Sequence, residues 1–129
     1  MLDSRPLLLA TDFPSIRRTK LDTLQVNLGY KCNLSCVHCH VNAGPSRVEA
    51  MDKATIDLIL DYIDQNTIAA LDLTGGAPEM NPHFRYFVSE ARRRGLDVID
   101  RCNLTILLEP GYETLAQFLV DQQVIITAS

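Results

Sequence analysis

Apolar and polar residues alternate along Leu24-Gln25-Val26-Asn27-Leu28, a period of two that predicts a half-buried strand. After a cysteine-bearing loop over 29–46, which closes with Gly44-Pro45, the period changes. Ile56, Ile59, Leu60 and Ile63 recur at helical spacing, and Asp52 is a suitable N-cap for the helix they predict. A second strand is expected over 68–74 and ends in Gly75-Gly76-Ala77-Pro78-Glu79. The next helix is expected to open with Asn81 as cap and Pro82 at its first position, with Phe84, Phe87, Val88 and Ala91 as its buried stripe and Gly95 at C′. A third strand over 96–101, a third helix over 112–122 (Leu115, Phe118, Leu119) and a fourth strand over 124–128 complete the pattern. Residues 1–20 keep no period. Pro6, Pro14 and a basic stretch at Arg17, Arg18 and Lys20 interrupt it, so an irregular leader or extended arm is expected there, with 21–129 as the folded unit.

The order is βαβαβαβ, which predicts an α/β fold with parallel strands joined by helical crossovers. Each βα unit takes roughly 25–45 residues, in line with the ~30 that a βαβ unit needs. The sequence stops at the end of the fourth strand. A parallel strand with an uncovered neighbour position is a poor domain boundary, so the expectation is a truncated portion of a larger α/β protein.

Composition narrows the classes. The 129 residues are 47% hydrophobic, too apolar for a disordered chain, and carry 12 Lys+Arg against 16 Asp+Glu, a net charge of −4. A mildly acidic chain without a long basic run argues against nucleic acid as a partner. The longest apolar runs, such as Leu7-Leu8-Leu9-Ala10, are too short to span a bilayer, and Asp3 and Asp12 flank that run where a secretory signal would be basic. Neither membrane nor secretion is expected, and the cytoplasm is the expected compartment.

Three of the four cysteines lie in Cys32-Asn33-Leu34-Ser35-Cys36-Val37-His38-Cys39, a CxxxCxxC run directly after the first strand. Such clustering is unlike a disulfide framework. Three thiolates on one short loop suit an iron–sulfur centre, one ligand short of the four a 4Fe–4S cube needs, so that one iron stays open to an outside ligand. Two other readings stand beside it. A structural zinc module would add His38 or His40 to the three cysteines, and a dithiol site at Cys36 and Cys39 would leave Cys32 without a role. The second motif, Thr74-Gly75-Gly76-Ala77-Pro78-Glu79, leaves the end of the next strand, hence the same rim of a parallel sheet, where ligands bind. Its paired glycines let a ligand approach the backbone closely.

Together these motifs resemble the radical S-adenosylmethionine (SAM) enzymes, over about residues 21–129. The resemblance implies the first four strands of a six-stranded partial TIM-type barrel, (β/α)6 when whole. It implies that Cys32, Cys36 and Cys39 hold a 4Fe–4S cluster, and that the open iron is chelated by the amino and carboxylate groups of SAM. An electron, supplied by a donor such as flavodoxin or ferredoxin, then cleaves SAM to methionine and a 5′-deoxyadenosyl radical. His38, just before the third cysteine, stands where the family places a ring against the adenine. Gly75 and Gly76 match the turn that receives the SAM amino group, with Pro78 beside them. Ala77 replaces a common Glu, so a side-chain contact there falls to Glu79. Asn103, in Cys102-Asn103-Leu104-Thr105, matches a TNGT-like stretch, and Ser129 stands where the fourth strand often carries a polar residue near SAM. More narrowly, CNLSCVHCHVNAGP, LTGGAPEMNPHFR and DRCNLTILLEPG resemble the radical SAM proteins of arsenosugar biosynthesis, which implies a methylated arsenical as substrate. As a truncated portion, the chain is expected to be inactive alone.

Four further residues are read from their positions. His40 either ligates near the cluster or shapes its loop, and His83 sits on the first turn of the second helix. Arg101 either receives a carboxylate through its guanidinium fork or forms a structural ion pair. Cys102 is expected to be a buried core thiol, with a part in substrate chemistry as its other reading. The Arg92-Arg93-Arg94 run suits a helix C-terminus.

Overall fold

The computed structural model describes residues 3–14, 16, 17 and 19–128. Four strands, β1 (Thr23–Asn27), β2 (Ala70–Thr74), β3 (Asp97–Asp100) and β4 (Ile125–Ile126), form one sheet in the order β1-β2-β3-β4, every pair parallel. Counted with the short N-terminal helix α1 (Arg5–Leu9), the crossovers are α2 (Lys53–Asp64), α3 (Phe84–Arg93) and α4 (Leu115–Asp121). This is the alternation expected for the first strands of a partial (β/α) barrel, with β3 and β4 shorter at both ends than periodicity suggested, β2 shorter at its start and β1 shifted by one residue. Helix α1 replaces the irregular segment expected there, and its Leu7, Leu8 and Leu9 are exposed. No helix among the described residues is long and apolar enough to cross a membrane.

The core lies between one face of the sheet and the helices. Val26 is in register with Leu73, and Leu24 with Leu71 and Val98, so alternate strand residues line this face. Against them pack Ile56, Leu60 and Ile63 of α2, Phe84, Phe87, Val88 and Ala91 of α3, and Leu115 and Leu119 of α4, all buried. The Phe84 and Phe118 rings meet edge to face at 6.4 Å. Because Phe87 is wholly enclosed by this layer, Phe87→Ala is expected to cost about 3–5 kcal/mol in urea unfolding.

Local signals explain the helix ends. The Asp52 carboxylate accepts from Thr55 N at 2.8 Å, the expected N-cap. Helix α3 ends in a Schellman motif, with Leu96 N bonded to Ala91 O, Gly95 N to Arg92 O, and Gly95 at φ +83°. Its start differs from expectation. The helix begins at Phe84 with His83, half-buried, at the N-cap position, and Asn81 is used otherwise. The Asn81 amide donates to Leu28 O and Met51 O, both at 2.9 Å, while its carbonyl accepts from His83 N. Asn81 thereby ties together the two ends of the cysteine loop. That tertiary use outcompetes a cap one position before proline.

Candidate functional site

The loop between β1 and α2 is a narrow neck carrying a cysteine-bearing head. Gly29 pairs with Ala50 and Lys31 with Gly44, and Cys32 N bonds to Gly44 O. Within the head the backbone turns onto its own sulfurs. Leu34 N donates to Cys32 Sγ at 3.4 Å and Ala43 N to Cys39 Sγ at 3.3 Å. Amides of Ala43, Val41 and Asn42 hold the Cys39 thiol below its usual range. Asn42 is left-handed (φ +50°), so successive N–H groups are brought to one side as an anion nest. Cys32 is buried, Cys39 half-buried and Cys36 exposed, all three free of disulfides.

The strand-end turn after β2 docks on this neck. Leu28 N bonds to Thr74 O, Gly76 N to Gly29 O and Ala77 N to Lys31 O, each at 2.9 Å. These bonds prolong the β1–β2 pairing into the loop. A Cβ at Gly75 would lie 2.6 Å from Gly29 O, and one at Gly76 would lie 2.4 Å from Lys31 O. Both glycines are therefore required by the close approach of two backbones, a use that their spacing in the sequence does not disclose.

At the carboxyl end of the strands a cleft of about 420 Å³ opens. All three loop cysteines line it, with His38, His40, Gly75, Gly76, Arg101 and Asn103. Of the expected site residues, the structure thus gathers the three cysteines, His38, Gly75, Gly76 and Asn103. Ala77, Pro78 and Glu79 lie elsewhere. Ala77 packs with Cys32 and Ala43 in a small cluster behind the loop, and Pro78 and Glu79 belong to a buried 3-10 turn, Pro78–Met80. Ser129 lies outside the described residues. Arg101 makes a two-pronged ion pair with Asp72 (2.9 and 2.8 Å), whose carboxyl it holds below the usual range, and Gln25 donates to the same carboxylate at 2.8 Å.

Among the described residues, neither the three loop sulfurs nor any mixture of them with His38 or His40 nitrogens gathers as a trio within 4.8 Å. Ligands of one zinc ion, with Zn–S about 2.3 Å, stand about 3.8 Å apart. The loop donors are thus not drawn together as a single-ion site, and three thiols on one short loop fit an iron–sulfur cluster with one corner open.

A second cluster was not foreseen. Asp100 occupies, in the layer of Val26 and Leu73, a position facing the helices, and is fully buried. It meets Glu79, only 5% exposed, and Cys102, their ligand atoms within 4.8 Å of one another. The four carboxylate oxygens of Glu79 and Asp100 meet no hydrogen-bond donor among the described residues. Burial first, and then the Glu79 charge, push the Asp100 carboxyl up to about 8, and burial followed by Glu79 pushes the Cys102 thiol up to about 12. Asp100 therefore keeps its proton to higher pH than a solvated carboxyl would. The warning sign in the sequence was an Asp at an apolar strand position.

Comparison with known proteins agrees with the cleft. The Radical SAM superfamily model matches residues 26–122. The chain is also similar to the Putative peptide biosynthesis protein YydG of Bacillus subtilis (strain 168), 34% identical over 55 residues, which is 42% of this chain and 17% of that protein.

Proposed function

Because the chain belongs to the radical SAM superfamily, we propose that Cys32, Cys36 and Cys39 ligate a 4Fe–4S cluster and that the cleft beside them takes SAM. Members of the superfamily use this pair, in which the bound cluster supplies the electron that cleaves SAM reductively. The observation that carries the reading is the convergence of three disulfide-free thiols on one cleft at the carboxyl end of parallel strands. This chain's own residues supply the rest. Backbone amides of Leu34 and Ala43 donate to the sulfurs of Cys32 and Cys39, and the neck holds the head against the sheet. His38 offers a planar ring to the adenine, and Gly75 and Gly76 offer backbone to the amino group. Arg101 remains bound to Asp72 and keeps the cleft floor polar.

For the substrate, the loop sequence CNLSCVHCHVNAGP favours a methylated arsenical that receives a deoxyadenosyl unit. The likeness to YydG favours a peptide instead, and this chain spans only 17% of that protein's length. Flavodoxin or ferredoxin is the proposed reductant and the cytoplasm the proposed compartment. The test is anaerobic reconstitution, followed by electron paramagnetic resonance of the reduced protein with and without SAM. About four irons and four sulfides per chain are expected, with a signal that shifts when SAM is added. Tight zinc uptake with no cluster would move the site to the structural zinc reading. Mass spectrometry of products from a trivalent dimethyl arsenical and from a candidate peptide then separates the two substrate classes.

A further inference from the structure

Resting on the cluster reading above, we infer that Asn103 is a positioning residue for the cluster ligand Cys32, tuning the cluster through an N–H···S bond. Asn103 follows β3 and stands 71 residues from Cys32 in sequence, yet its Nδ2 donates to Cys32 Sγ at 3.6 Å and to Asn33 Oδ1 at 2.8 Å. The amide has one sense only. Its Oδ1 accepts from Ile106 N at 3.1 Å and from Thr105 Oγ1 at 3.0 Å, which points the N–H groups at the cysteine loop. Asn33 is held in turn, donating to Thr105 Oγ1 at 2.8 Å and Glu109 Oε1 at 3.2 Å. The turn that presents Asn103 is strained, since Leu104 takes φ +58°, a left-handed conformation that a branched side chain rarely adopts. The strain persists because these bonds over-determine the turn.

The chemical consequence follows from charge. A cluster gains an electron on reduction, and a donor on a ligand sulfur stabilises the more negative state. Asn103 therefore raises the reduction potential and fixes the direction of the Cys32 Sγ lone pairs. The network also couples the β3 loop to the cysteine loop, two segments that the sheet alone does not join.

The experiment uses the reconstituted chain and two readouts besides turnover, the midpoint potential of the cluster and the Fe–S(Cys) bands in resonance Raman. Asn103→Ser removes the amide N–H that reaches Cys32 without adding charge. Asn103→Asp keeps the acceptor for Ile106 and Thr105, hence the turn, and Asn33→Asp adds the same charge while leaving the Asn103 N–H in place. Asn103→Ser is expected to lower the potential, and Asn103→Asp to lower it further than Asn33→Asp, with altered Fe–S bands in both Asn103 variants. A variant with an unchanged urea midpoint that takes up no cluster supports the same role. Potentials equal to wild type in Asn103→Ser, or equal in the two Asp variants, overturn it. If the unaltered chain takes up no cluster, the cluster reading itself fails, a distinct result.

Discussion

Gly76→Ala is expected to cut iron and sulfide uptake on reconstitution about tenfold while leaving the sheet folded. The new methyl would sit 2.4 Å from the Lys31 carbonyl oxygen, 2.8 Å from its carbon and 3.0 Å from the Ala43 Cβ. None of these is the end of a flexible side chain. The strand-end turn would have to withdraw from the neck of the cysteine loop and give up the Ala77 N to Lys31 O bond. Overpacking of this kind costs about 1–3 kcal/mol, and every 1.4 kcal/mol is about tenfold in an equilibrium. The control is Gly95→Ala. There nothing lies within 4 Å of the added carbon, so the cost is only the strain of φ +83°, far from the loop. It should lower the urea midpoint modestly and leave cluster uptake unchanged. Full iron content in Gly76→Ala would show that the loop docks without this close approach.

That contrast also marks how far the sequence reaches. The strands and the main helices follow from alternation and from stripes such as Ile56/Leu60/Ile63, because burial on one face writes itself into local periodicity. Asp52 and Gly95 are legible as caps for the same reason, each acting within a few residues of itself. The three cysteines are legible because a cluster drawn from one loop needs its ligands close together in sequence. What stays hidden is long-range. Asn81 looks like a helix cap and serves as a clamp on Leu28 and Met51. Gly75 and Gly76 look like room for a ligand, and their missing side chains also make room for the neck of the loop. The 3-10 turns at Pro78–Met80 and Thr105–Leu108 carry no period at all. The link from Asn103 to Cys32 exists only once β3 is laid beside β2.

Hidden in the same way is the charge inside the core, and its consequence is the second large effect. Asp100→Asn is expected to become progressively more stable than the unaltered chain as pH rises from about 4 to 8. In the unfolded chain Asp100 titrates near 3.8, whereas in the fold its carboxyl is pushed up to about 8, by burial first and then by Glu79. Between those values the folded state holds a proton that the unfolded state has released. Its contribution is fully present below the unfolded value and is lost as pH climbs through the folded one, by at most about 1.4 kcal/mol per pH unit. Above about 8 the loss levels off. An asparagine carries its N–H at every pH and can donate to Glu79 throughout, so the variant escapes this slope. Glu49 and Glu90, each held near 2 by arginine partners, act in the opposite sense, since their contribution disappears as pH falls, but both proteins share them. The difference between the two urea-unfolding free energies from pH 5 to 8 isolates the buried pair. Parallel curves would mean that Asp100 is ionised in the fold. A widening gap would place the proton on Asp100, the last residue of the strand from which Asn103 reaches the cysteine head.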